Sequence, residues 1–210
     1  MPAHGDHISA RGRGELRRRR RIAIEAARLM SESGIRDFAA AKRKAAERLG
    51  VFDEGSLPKN CEIEDALREH QRLFQAEEHP AHLRALREAA REAMRFFVRF
   101  EPRLVGAVLE GTADRHSAVC LHVFSDTPEE VMLLLDEQGI AYTENQRRLR
   151  VSRDVQAEFP VLKVMQNGTA FDLTILPCDA IRQAPLDRVD EKPMRRASLA
   201  ALDELLANET

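Results

Sequence analysis

Over the first hundred residues the apolar positions recur at helical spacing. Ile22, Ile24, Ala27, Leu29 and Met30 follow a polar N-terminal stretch and stop at Ser31-Glu32-Ser33-Gly34, which predicts a first helix. A second is expected near Asp37 to Leu49, ended by Gly50. Asn60 is placed to cap a third, from about Glu62 to Gln75, with Ile63, Ala66, Leu67, Leu73 and Phe74 on its apolar side. His79 and Pro80 open a fourth that runs through Phe100 to Pro102. From Leu104 the period changes. Leu104 to Leu109 reads as a buried strand and Ser117 to Phe124 as its partner; Thr127-Pro128-Glu129-Glu130 starts a helix that leads to Gln138-Gly139. Ile140–Thr143, Arg148–Ser152, Val161–Gln166 and Ala170–Leu176 read as short strands, with Asn167-Gly168 as the hairpin turn between the last two. A helix from Arg195 to Ala207 closes the chain. The pattern predicts an α+β protein: an N-terminal α-helical bundle of about four helices, then a mixed β-sheet with flanking helices. The segments are a basic arm over 1–21, a helical region over 22–102 and an α/β domain over 103–210.

Composition narrows the class. With 210 residues and 43% hydrophobic content the chain can bury an ordinary core. No apolar run approaches the roughly 18 residues needed to cross a bilayer. The N-terminus lacks the apolar core of a secretory signal, so a cytoplasmic protein with no membrane partner is expected. Three widely spaced cysteines, Cys61, Cys120 and Cys178, argue against a disulfide framework. Nothing in the sequence specifies an oligomeric state.

Charge is distributed unevenly. Residues 1–50 carry 13 Lys and Arg against 6 Asp and Glu, a balance of +7; the remaining 20 against 29 give −9. The run Arg17, Arg18, Arg19, Arg20 and Arg21 is a candidate contact for nucleic-acid phosphates or an acidic protein partner. The plainer reading, a solvated helix start with arginines paired to Glu15 and Glu25, is preferred. No aromatic residue is interleaved, so a base-stacking platform is not indicated. The first two helices resemble the start of a DNA-binding helix-turn-helix, but a loop with Gly55 and Pro58 stands where a recognition helix should begin. Helix packing is the better account. His79 and His82 have a spacing that suits a metal on one helical turn, and a polar helix start explains them more simply.

The most specific pattern is residues 104–124, LVGAVLEGTADRHSAVCLHVF. The turn Gly111-Thr112 precedes the strand Ser117-Ala118-Val119-Cys120-Leu121, and Asp172 lies on a later strand in FDLTIL. This resembles the active-site hairpin of the polymerase-beta-like nucleotidyltransferase superfamily. There a Gly-Ser or Gly-Thr turn is followed by a strand with two carboxylates two residues apart, and a third carboxylate sits on a neighbouring strand. The two positions here fall on Ala118 and Cys120; the third survives as Asp172. The resemblance covers roughly the C-terminal half and implies a nucleotidyltransferase-like sheet in a degenerate member of the superfamily.

The missing carboxylates decide what activity is expected. Residues two apart on a strand project from one face and can share a cation. Nucleotidyl transfer uses such a pair to hold Mg²⁺ against substrate phosphates. A methyl group and a thiol do not replace hard oxygen donors. Alternation places Val119, Leu121 and Val123 on a core face, and His116, Ala118, Cys120 and His122 on the other. A softer Zn²⁺ site of His116, Cys120, His122 and Asp172 is one speculative reading. Histidines that are merely hydrogen-bonded are the simpler one. Asp114 and Asp126 are out of register for replacement ligands. Gly111 and Thr112 would bring backbone N–H groups to a triphosphate, or else form an ordinary glycine turn. Arg115, Lys163, Arg147, Arg148 and Arg150 are candidates for phosphate contacts or solvated charges.

The resemblance thus implies a catalytically inactive nucleotidyltransferase-fold protein that acts as a nucleotide-, RNA- or protein-binding module without a cofactor. One alternative is an active nucleotidyltransferase that modifies RNA, protein or a small molecule with Mg²⁺ at Asp172. Another is a DNA-binding regulator working through the N-terminal helices.

Overall fold

In the computed structural model, residues 10–51, 53–74 and 78–209 are described. The chain divides into two units, residues 1–75 and 76–210.

The first unit is helical. Helix α1 (Ala10–Ser33) is longer than its apolar pattern, because arginine is a good helix former. The arginine run lies within this helix; residues 1–9 of the expected arm lie outside the described residues. Helix α2 (Phe38–Arg48) is capped by Asp37, whose carboxylate accepts from the Ala40 N–H at 2.7 Å. Helix α3 (Asn60–Phe74) starts with Glu62 reaching back to the Lys59 N–H at 2.6 Å. Ile22, Ala26, Leu29, Ala41, Ala45, Ile63 and Leu67 form its core. The alanines let the three helices approach closely.

The second unit begins with the fourth helix, α4 (Glu78–Phe96), so the expected helical region 22–102 is split between the two units. Its apolar side packs on the sheet, and its helical hydrogen bonding gives way to a 3-10 turn at Val98–Phe100. Strand β1 is only Arg103–Val105; Gly106 then turns the chain into a short helix, α5 (Ala107–Glu110). The expectation of a strand through Leu109 is thus corrected. Strand β2 (Val119–Phe124), helix α6 (Glu129–Glu137), and strands β3 (Tyr142–Arg150), β4 (Gln156–Gln166) and β5 (Thr169–Leu176) follow. The two short strands expected over 140–152 are one, continuous through the polar residues between them. Asn167 and Gly168 both have positive φ, 51° and 79°, as a two-residue hairpin turn requires. Helix α7 starts later than expected, at Leu199, because the Ser198 side chain caps it.

The fold is α+β, with a mixed five-stranded sheet in the order β1-β2-β5-β4-β3. Only β2 and β5 run parallel; the other neighbours are antiparallel. One sheet face carries Val119, Leu121, Val123, Leu162, Leu173 and Ile175, buried against side chains from α4, α6 and α7. The other face carries the residues singled out by the sequence.

Candidate functional site

The parallel register sets Cys120 directly beside Asp172, and His122 beside Thr174. Alternation aims these side chains at the face opposite the main core. Ala118 stands just before β2, half-buried. Cys120, His122 and Asp172 are therefore neighbours, and what surrounds them defines their chemistry.

Asp172 is ion-paired within the chain. Arg147, on edge strand β3, reaches across β4 and donates from Nη2 to the Asp172 carboxylate at 2.6 Å, and from Nη1 to Thr174 Oγ1 at 3.4 Å. A guanidinium thus supplies the counter-charge to this carboxylate. Ala118 offers no donor, and the Cys120 thiol donates to the Ala118 carbonyl at 3.7 Å. Among the described residues, no three His, Cys, Asp or Glu side chains converge to hold a metal. His116 lies in the turn before β2 and accepts from Arg115 at 3.2 Å, so the proposed Zn²⁺ set does not assemble. The donor set does not fit Mg²⁺ either: one carboxylate remains, and it is ion-paired.

His122 is the unexpected member. The sequence placed it on the face opposite Val119, Leu121 and Val123; it is 1% exposed there, and its Nδ1 has no hydrogen-bond partner among the described residues. Burial lowers its pKa to about 3, and the positive charges of Arg196 and Arg147 push the same way. Arg196, from the irregular segment before α7, donates to the Ala180 and Ile181 carbonyls at 2.9 and 2.7 Å and lies 5.5 Å from the Phe124 ring. No sequence pattern pointed to it. Phe124, Leu149 and Leu176 form a small apolar cluster at this end of the face. The site is a neutral imidazole beneath two fixed guanidinium groups, with Cys120 and Asp172 two residues away along their strands.

Gly111 and Thr112 form a glycine turn, the plainer of the two readings. Gly111, at φ 78°, ends α5, and the N–H groups of both residues donate to the Ala107 carbonyl. Those groups are spent within the turn. The demanding backbone is at Gly106, φ 72° and ψ −155°, a region that essentially only glycine adopts. It turns β1 into α5 next to Cys120, where an added Cβ would lie 3.9 Å from the cysteine Cβ. A glycine splitting two apolar runs was the signal for it.

The remaining candidates are dispersed. Arg148 pairs with Glu158 at 2.6 Å and Arg150 with Glu191 at 2.7 Å. Lys163 is exposed and stands in register with Asp172 on β4. Asp114 is buried and folds its own loop, accepting from the His116 N–H at 2.8 Å; Asp126 accepts from the Cys178 N–H at 2.9 Å. His82 Nε2 lies 3.2 Å from the Asp114 carbonyl, and burial lowers the His79 pKa. On α1, Arg19 is half-buried and bonds to the Gly55 carbonyl at 3.2 Å. Arg17, Arg18, Arg20 and Arg21 are exposed and form no ion pair among the described residues. Glu25 pairs instead with Arg28 and Arg48.

Compared with known proteins, the chain matches no family model, and no curated protein matches it significantly.

Proposed function

We propose that this chain is a nucleotidyltransferase-fold protein that has lost phosphoryl transfer and acts as a binding module for nucleotides or RNA. The observation that carries the reading is the Arg147–Asp172 pair. Transfer of a nucleotidyl group needs cations at the reacting phosphate, and the single retained carboxylate already has its counter-charge within the chain. The absent oxygen donors at Ala118 and Cys120 point the same way. Phosphate-bearing ligands are favoured over protein by the solvated Arg17, Arg18, Arg20 and Arg21 on α1.

The test is an incubation of the full chain with each of the four nucleoside triphosphates and Mg²⁺ or Mn²⁺, reading pyrophosphate release and labelling of RNA or protein. No turnover is expected, together with salt-sensitive binding of RNA. Pyrophosphate release that disappears in Asp172→Ala would overturn the inactive reading.

A further inference from the structure

A cleft lies on the opposite face of the sheet from Asp172. The C-terminal half of α4, the end of α6 and the β4–β5 hairpin border this half-open space of about 310 Å³. Ala89, Ala93 and Phe96 follow one another along α4 at spacings of four and three, which sets them on one line of the helix. The two alanines make the room, and Phe97 and Phe171 supply aromatic wall. Val164 and Leu173 form the floor on the sheet. Phe96 stands edge-on to Phe97, with ring centroids 4.8 Å apart, and is nevertheless 37% exposed. Water in such a space finds few hydrogen-bond partners.

The polar lining is sparse and mostly neutral. Gln166, Asn167 and Thr169 come from the hairpin. Among the described residues the one ionisable lining group is Glu92, whose carboxylate already accepts from Arg95 at 2.9 Å. An anion would meet a carboxylate here and no free cation. A cation would compete with Arg95 and Arg91 for that carboxylate. A neutral molecule meets neither obstacle, and apolar walls with a few hydrogen-bonding groups at this volume are what small-molecule sites are made of.

We propose that this cavity binds a small uncharged molecule with an aromatic or alicyclic body and one hydrogen-bonding group directed at Gln166 and Thr169. The ring packs offset or edge-on against Phe96, Phe97 and Phe171. Strand β5 serves both faces, Asp172 on one and Phe171 and Leu173 on the other. This site goes beyond the proposed function, and either can fail without the other.

The probe is N-phenyl-1-naphthylamine, which is neutral and fluoresces when desolvated; the chain has no Trp and one Tyr, so it adds little background. Titration of the full chain is expected to give a saturable single-site enhancement that indole displaces and benzoate does not. Ala93→Leu and Ala89→Phe fill the space and should weaken binding by about ten-fold or more without lowering the melting temperature. Methyl NMR of the unmodified chain should shift Leu135, Ile140, Val164 and Leu173, and leave Leu149 and Leu176 of the opposite face unmoved. The methyl map decides the matter even if a filling variant fails to fold. Absence of saturable enhancement, displacement by benzoate as strong as by indole, or shifts confined to other methyls would overturn the proposal.

Discussion

His122 is an imidazole held neutral by burial and by the cations beside it. Its pKa is about 3 in the folded chain and about 6.5 in an unfolded one. Between those values the unfolded chain takes up a proton that the folded chain refuses. The stability it contributes is therefore complete above about pH 6.5 and is lost as pH falls towards 3. Thermal melts at pH 7 and 4.5 should show His122→Phe losing less stability than the parent, by about 1–3 kcal/mol; equal losses would exclude His122 as the titrating group. Arg147 supports a second expectation. If its guanidinium stands in for the metal, Ala118→Asp with Cys120→Asp should gain little Mn²⁺ affinity. Adding Arg147→Met to that pair should raise it measurably in an electron paramagnetic resonance titration. Equal affinity in the double and triple variants would show that Arg147 is not what keeps the cation out.

Elements with a clear period were readable, and those without one were not. Strand β2 declared its core face through Val119, Leu121 and Val123, and Asn167-Gly168 fixed the β4–β5 hairpin. The neighbourhood of Cys120 and Asp172 was an expectation of the family resemblance, and strand alternation gave only the face of β2 on which Cys120 stands. The pairing of Asp172 with Arg147 did not, because β3 and β5 lie two strands apart and nothing local encodes their distance. Strand β3 is a polar edge strand without an apolar rhythm, so its middle read as a loop. Leu104 to Leu109 misled for the opposite reason: an unbroken apolar run suits strand and helix alike, and Gly106 was the clue. Gly106→Ala should cost about 1–3 kcal/mol in chemical denaturation, since alanine resists that φ and ψ. Gly14→Ala, inside α1 with no atom within 4 Å of its added Cβ, should instead leave stability unchanged or slightly raised. On the same helix, replacing Arg17, Arg18, Arg20 and Arg21 with Ser should make the log–log salt dependence of RNA binding shallower by about 3 units. An unaltered slope in filter binding would remove α1 from the RNA contact.

At the scale of the whole molecule, the two units have separate cores. Among the described residues, one is built from residues between Ile22 and Leu67 and the other from residues between Leu83 and Leu206. A fragment of residues 76–210 should therefore melt cooperatively with near-native near-ultraviolet dichroism; a non-cooperative melt would mean that the sheet depends on the first unit. Within the second unit, β2 is flanked early by β1, but its parallel neighbour arrives late: Val119 pairs with Phe171, 52 residues further on. At the usual pace of synthesis, about 5–20 residues per second, β2 waits several seconds for that partner. Meanwhile Val119, Leu121 and Val123 have no strand to join on that side. A ribosome that stalls before β5 would release a chain with an apolar strand edge open, and that nascent form is the one most in need of a chaperone.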